Sequence, residues 1–186
     1  MRVFISGGCK NGKSHYAQSL AKAQETHALY YIATMKAADS EDDDRIARHR
    51  QERAGKGFTT IEQPFDIRNI LQSCDPGGSF LLDSLTALLA NEMFLPMGRV
   101  NEKAAQKICG EITHVLERIK NIVLVSDYIY SDAALYDPLT ECYRKALAQI
   151  DRAAAGICDV VLEAAYTRVV VHKGKEAAHA LYQKIS

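Results

Sequence analysis

The chain has 186 residues, 47% of them hydrophobic, with 23 acidic and 23 basic side chains. That is enough apolar material for one compact core, and a single domain over residues 1–186 is expected. Balanced charge excludes the global field that selects nucleic acid or an anionic membrane surface, and no apolar run reaches the ~20 residues of a bilayer span.

Short apolar, β-branched runs alternate with longer stretches at helical spacing, the pattern of βαβ units around a mainly parallel sheet. In chain order the reading is a strand at Val3–Ser6, a helix at Lys13–Gln24, a strand at Leu29–Ala33 and a helix at Glu41–Arg53. A weaker strand at Phe58–Glu62 and a helix at Ile67–Cys74 follow, then a strand at Phe80–Asp83 and helices at Leu85–Phe94 and Glu102–Lys120. The last third reads as a strand at Ile122–Ser126, a helix at Pro138–Ala155 and strands at Val160–Glu163 and Val169–His172. Asp137 before Pro138 places a capping carboxylate ahead of a proline suited to the first helical turn, and Ser40 precedes the acidic run Glu41–Asp44 in the same way. Asp75-Pro76-Gly77-Gly78 and Pro96-Met97-Gly98 break the pattern between units without resembling linkers. The cysteines Cys9, Cys74, Cys109, Cys142 and Cys158 are odd in number and form no C-x-x-C pair. With no signal-peptide succession at the start, a reducing cytoplasm is the expected compartment.

Gly7-Gly8-Cys9-Lys10-Asn11-Gly12-Lys13-Ser14 satisfies G-x-x-x-x-G-K-[ST] between a predicted strand and a predicted helix. Gly7 and Gly12 free the backbone to turn successive amide hydrogens inward on phosphate oxygens, at a helix N-terminus that adds partial positive charge. Lys13 then neutralises the β and γ phosphates and the Ser14 hydroxyl ligates Mg²⁺. A glycine-rich turn alone would need neither the lysine nor the serine. The expected fold is therefore α/β, a P-loop NTPase-like domain with helices flanking a mainly parallel sheet. A magnesium-facing carboxylate belongs at a strand end, and Asp83 closes Phe80-Leu81-Leu82-Asp83 in that position. Asp83 equally suits a cap for the helix from Leu85, and Asp127 is a rival for the metal role.

A second concentration of chemistry is Arg45-Ile46-Ala47-Arg48-His49-Arg50-Gln51-Glu52-Arg53. Arg45, His49 and Arg53 stand four apart and share one helical face. Guanidinium forks there can bind polyphosphate, and their charge keeps the imidazole neutral, as a nucleophile must be. The other account is a solvated helix whose acidic first turn is balanced by arginines, with His49 a bystander.

These residues, in this order, resemble a known family. The loop Gly7–Ser14, Tyr31-Ile32-Ala33-Thr34, Arg45-Ile46 with His49-Arg50 and Arg53, and Asp83-Ser84-Leu85-Thr86 with Asn91 are similar to the landmarks of bifunctional adenosylcobinamide kinase/adenosylcobinamide-phosphate guanylyltransferase. The likeness is good over roughly the first half of the chain and looser through Ile122–Ser126 and Tyr143–Gly174. It implies an enzyme of cobalamin assembly that uses ATP and GTP as substrates with Mg²⁺. Such an enzyme phosphorylates the aminopropanol hydroxyl of a corrinoid, then moves GMP from GTP onto that phosphate. It further implies that His49 carries GMP covalently and that Lys13 acts in catalysis. Nucleotide contacts are implied for the loop, for Ala33, Thr34 and Met35, for Arg50, Gln51, Glu52 and Arg53, and for Glu62 and Asp83. A homo-oligomer, a trimer, is implied as well.

The chain departs from the family after Ser126. Where the family has Asn-Glu-Val-Gly leading to Gly-Ile-Val-Pro, it has Asp127-Tyr128-Ile129-Tyr130-Ser131-Asp132, and Asp151-Arg152 replaces an Asn-Gln pair. Loops at the carboxyl ends of parallel strands bind ligands, so the departure bears on the acceptor. Tyr128 and Tyr130 either offer flat faces to a large ring or pack on their neighbours. Two other functions fit the residues: a P-loop kinase for another small hydroxylated substrate without guanylyl transfer, and a nucleotide-switch module. The switch reading lacks the guanine-reading N-K-x-D string, the nearest being Asn101-Glu102-Lys103-Ala104.

Overall fold

The computed structural model describes residues 1–36, 47, 51, 55–130, 132–166 and 168–185. Among the described residues seven strands form one sheet in the order β3-β2-β4-β7-β1-β8-β9, with β1 at Arg2–Gly7, β2 at Leu29–Ala33, β3 at Thr59–Glu62, β4 at Ser79–Asp83, β7 at Asn121–Asp127, β8 at Val160–Ala165 and β9 at Arg168–Lys173. Every pairing in it is parallel except β8 with β9. The order places the first strand inside the sheet, between β7 and β8, which is what a buried βαβ core requires.

Alternation along the strands divides the apolar side chains between two layers. Phe4, Phe80, Leu82, Ile122 and Leu124 face α2 (Ile70–Ser73), α3 (Leu85–Met93), α4 (Ala104–Arg118) and α5 (Pro138–Ile157). Val3, Ile5, Leu81, Val123 and Val125 point the other way, onto α1 (Lys13–Ala23) and α6 (Lys175–Tyr182). Each residue therefore belongs to one layer by its parity, and a one-residue slip of β1 or β7 would invert both layers.

Two of the described helices, α3 and α5, begin on a side-chain cap. The Asp137 carboxylate accepts from the amides of Leu139 at 3.0 Å and Thr140 at 3.1 Å, with Pro138 in the first turn. The predicted helix Ile67–Cys74 is a 3₁₀ turn at Ile67–Asn69 leading into the single α-turn of α2. Pro96-Met97-Gly98, read as a break between units, is the tip of a small antiparallel hairpin joining β5 (Phe94–Leu95) to β6 (Arg99–Val100), with φ of 63° at Met97 and 71° at Gly98. α6 has no counterpart in the sequence reading. The predicted helix Glu41–Arg53 and its cap at Ser40 lie outside the described residues, apart from Ala47 and Gln51, which are helical and exposed.

Candidate active site

The carboxyl ends of the parallel strands converge on one edge, because Gly7 pairs in register with Asp127, Ala33 with Asp83 and with Glu62, and Asp83 with Val125. Ligands of open parallel α/β sheets bind at this edge, and the candidate site is assembled there.

The phosphate loop leaves β1 through Gly7, where a Cβ would collide with the Ala164 carbonyl oxygen and the Asn11 side chain. That close approach accounts for the glycine. Asn11 bridges β8 to the loop: its Nδ2 donates to the Ala164 carbonyl at 2.6 Å and its Oδ1 accepts from the Lys13 amide at 3.2 Å. Gly12 precedes α1 in the left-handed region with φ of 85°, and Lys10 also has positive φ at 55°. Gly8, Cys9 and Lys10 are exposed while Ser14 is half-buried at the helix N-terminus. The sequence thus yields an open turn at the positive end of α1, braced from inside by an asparagine that the motif itself does not specify.

Lys13 is buried, 7% exposed, and its ammonium is held by the Gly8 carbonyl oxygen at 3.0 Å and by Asp127 Oδ1 at 2.5 Å. Two strand-end carboxylates therefore have different neighbours. Asp127, on β7 beside β1, faces the lysine. Asp83, on β4 one strand further out, accepts from the Tyr31 hydroxyl at 2.7 Å. Asp83 does not cap α3, since Ser84 takes that position and accepts from the Ala87 amide at 3.2 Å. The Asp83–Ser84 peptide is cis.

Around Asp83 the strand ends are knitted by backbone-directed hydrogen bonds. Thr34 is fully buried; its amide donates to the Asp83 carbonyl at 3.2 Å, and its hydroxyl donates to the Ser84 carbonyl and accepts the Ser84 amide, both at 2.7 Å. Asn91 on α3 donates to the carbonyls of Thr34 at 2.7 Å and Pro64 at 2.9 Å. Thr34 and Asn91 therefore act as struts beneath the edge. Ala33 and Met35 are half-buried and Glu62 is exposed at the end of β3.

On the side of Asp127 a cavity of about 230 Å³ opens, lined by residues that include Met35, Lys36, Thr86, Asn91, Asp127 and Tyr143. Thr86 joins its walls: its hydroxyl accepts the Asp127 amide at 2.8 Å and its carbonyl accepts the Tyr143 hydroxyl at 2.9 Å. Beyond Asp127 the chain runs into a loop fastened to α5. Arg144, only 8% exposed, donates to the Ile129 carbonyl at 2.9 Å and to Asp132 at 3.0 Å, contacts Glu141, and lies 4.5 Å from the Tyr136 ring centroid. Tyr130 packs inward, its hydroxyl donating to Asp151 at 3.1 Å, whereas Tyr128 stays exposed with its ring edge-on to Tyr130. Burial raises the Tyr130 and Tyr143 hydroxyls above the ordinary tyrosine range, so both remain donors at neutral pH.

Of the residues singled out from the sequence, the structure brings Gly7–Ser14, Ala33–Met35, Glu62 and Asp83 to the same edge. His49, Arg50, Glu52 and Arg53 lie outside the described residues, and of Gln51 only its helical, exposed state is described. Asn11's brace, Thr86 and Tyr143 are the positions that sequence reasoning left without a role. Thr86 stood in the family landmark, but its use depends on the packing of α3 against α5. No helix among the described residues is long and apolar enough to cross a membrane.

Comparison with known proteins bears on the same residues. The bifunctional adenosylcobalamin biosynthesis protein CobP of Pseudomonas aeruginosa is 41% identical over 92 residues, covering 49% of this chain and 52% of that protein. The bifunctional adenosylcobalamin biosynthesis protein CobU of Escherichia coli K12 is 30% identical over 95 residues, covering 50% of this chain and 51% of that protein. The chain thus spans about half the length of the curated relatives it matches. Among solved structures, a KaiC-like protein of Pyrococcus horikoshii aligns at 15% identity with a TM-score of 0.48, over 92% of this chain and 77% of that one. The family described as cobinamide kinase / cobinamide phosphate guanyltransferase matches residues 3–169, and the chain belongs to that family.

Proposed function

We propose that the protein phosphorylates the aminopropanol hydroxyl of adenosylcobinamide and then transfers GMP from GTP to the new phosphate. The observation that carries this reading is the family match over residues 3–169, which includes the complete phosphate loop. In the first step the loop amides and the N-terminus of α1 hold the triphosphate, and Lys13 exchanges Asp127 for phosphate oxygens. Ala33, Met35 and Glu62 border the nucleotide along the strand ends, with Thr34 buried beneath them as a strut rather than as a contact.

Magnesium fits the available donors. It is a hard ion that takes one or two protein oxygens beside those of the phosphates, and Ser14 and Asp83 supply a hydroxyl and a carboxylate, the latter oriented by Tyr31. When bound, the ion neutralises charge developing on the phosphates.

In the second step the His49 imidazole attacks the α-phosphorus of GTP. A nitrogen–phosphorus bond forms, the bond to the β-phosphate oxygen breaks, and pyrophosphate leaves with the electron pair. The phosphorylated corrinoid then attacks the same phosphorus and frees the imidazole. Arg50 and Arg53, with Gln51 and Glu52 between them, flank His49 in the R-I-x-x-H-R-x-x-R pattern and suit the departing charge. A cytoplasmic homotrimer accompanies this reading. Exposed Phe94, Met97, Val100, Leu135 and Leu139 supply apolar surface suited to subunit contact.

Incubation with adenosylcobinamide, ATP and GTP, followed by mass analysis, tests the proposal. It predicts both the phosphorylated and the GDP-linked corrinoid, and labelling by α-³²P GTP through an acid-labile, base-stable bond that His49→Ala abolishes. A second reading, a P-loop kinase for another small hydroxylated substrate without guanylyl transfer, is favoured by the departure at Asp127–Asp132 and Asp151-Arg152, which bears on the acceptor. Phosphoryl transfer from ATP to a different hydroxylated acceptor, with no label from α-³²P GTP, would establish it. Absence of both products sinks the proposal.

A further inference from the structure

A second cavity, of about 540 Å³, lies between α4 and the helical turns at residues 67–73 that follow β3. Sites for small molecules run to roughly 300–1,000 Å³, so the volume suits one. Glu111, His114 and Arg118 stand three and four residues apart on one face of α4, and the facing turns contribute Arg68, Asn69 and Gln72. The helix α4 packs on the sheet face opposite α1, which carries the phosphate loop.

The two signs of charge around this cavity are differently answered. On the acidic side Lys107 serves both carboxylates of the lining, at 2.6 Å from Asp66 and 3.8 Å from Glu111. On the basic side no carboxylate pairs with Arg68 among the described residues, and Arg118 reaches Glu117 only at 3.9 Å. Arg118 Nη1 instead lies 2.9 Å from His114 Nδ1. A guanidinium can only donate, so Nδ1 accepts and the proton of the neutral imidazole sits on Nε2. Desolvation of the half-buried ring, then the charges of Arg118 and Arg68, hold His114 below the ordinary histidine range against the weaker pull of Glu117. Two guanidiniums and an N–H donor thus share a cavity whose own acids are already neutralised.

We propose that this cavity is a binding site for a small phosphate monoester, separate from the phosphate loop. Arg68 and Arg118 pair with the phosphate oxygens, the His114 Nε2 hydrogen completes the set, and the amides of Asn69 and Gln72 take the hydroxyls of the organic remainder. Planar guanidinium forks match phosphate oxygens in pairs. A carboxylate, with a single charge, leaves one of the two arginines unanswered, whereas a dianion answers both.

The test follows the His114 imidazole by NMR in the intact protein, with His114→Gln to assign it, while ribose 5-phosphate, inorganic phosphate and ribose are titrated in turn. Ribose 5-phosphate should move the His114 resonances saturably with Kd below about 1 mM, and should raise the ring's titration midpoint because a bound dianion favours the imidazolium. Lys13→Ala should respond as wild type does. Arg68→Ala and Arg118→Ala should each weaken the response at least about tenfold, with calorimetric binding of Mg-GTP at the wild-type level, and Arg68→Lys, which keeps the charge and loses the fork, should fall between. Ribose should give no shift, and inorganic phosphate a weaker one than the ester. Absence of a saturable shift by about 10 mM, an undiminished response in both arginine variants, or a response to ribose equal to that of its phosphate overturns the proposal. Loss of the response in Lys13→Ala would put the ligand on the loop and overturn it too, as would inorganic phosphate binding as tightly as the ester.

Discussion

Asp151 on α5 is buried, 3% exposed, with Oδ2 accepting the Ser126 hydroxyl at 3.0 Å and the Tyr130 hydroxyl at 3.1 Å. Its Oδ1 is also buried and finds no partner among the described residues. Burial is the main cause that lifts its carboxyl from 3.8 to about 7, with the charge of Asp127 adding to it and the two hydroxyl donors opposing it. The folded protein holds this proton at a pH where the unfolded chain has released it. Stability therefore falls as pH rises from about 4 to about 7, because unfolding then releases a proton. At about 1.4 kcal/mol per pH unit, the full effect is at most about 4 kcal/mol. Asp151→Asn keeps the shape and a carbonyl for both hydroxyls but has no charge to bury. Urea unfolding of both proteins, from about pH 4.5 to about pH 8.5, should show the variant gaining on wild type by a few kcal/mol across that window, with an unchanged m-value. Parallel pH profiles would refute the assignment of a strained carboxyl at this position.

Two further changes probe the framework around the cavity. Arg144→Ala removes the cation that ties Ile129, Asp132, Glu141 and Tyr136 together, and should cost about 2–4 kcal/mol. Amide hydrogen exchange should accelerate in residues 128–137 and little elsewhere; unchanged protection there would contradict the fastening role. Asn91→Ala leaves the Thr34 and Pro64 carbonyls without their donor and should destabilise the fold by about 1–3 kcal/mol in chemical unfolding; a neutral effect would show that water replaces the amide.

The sheet was readable in the sequence because both of its faces are covered, so its strands appear as continuous apolar runs such as Ile122–Ser126, bounded by turn residues. The phosphate loop was readable because Gly7 and Gly12 encode backbone demands at fixed spacing. Asp137-Pro138 was readable for the same reason, as local geometry written in adjacent letters. What escaped depends on contacts distant in sequence. Whether Asp83 or Ser84 caps α3 cannot be separated when neighbours have equal capping chemistry, and the Tyr31 hydroxyl, 52 residues away, settles what Asp83 does instead. The pairing of Lys13 with Asp127 follows from β7 lying beside β1, which no local pattern states. The small β5–β6 hairpin is too short for a strand period, and α6 spans only eight residues after Gly174. Tyr130 and Tyr128 show how packing divides like residues: one is anchored on Asp151, while its neighbour faces solvent.

The proposed function depends most directly on the grip of the loop Gly7–Ser14 on polyphosphate. Calorimetric titration of the folded protein with Mg-GTP and Mg-ATP measures it, with Lys13→Ala as the comparison. Saturable binding by the wild type, weakened at least about tenfold in Lys13→Ala, is the predicted result. A wild-type protein that takes up no nucleotide at millimolar concentration, or a Lys13→Ala variant that binds as tightly as wild type, would contradict it.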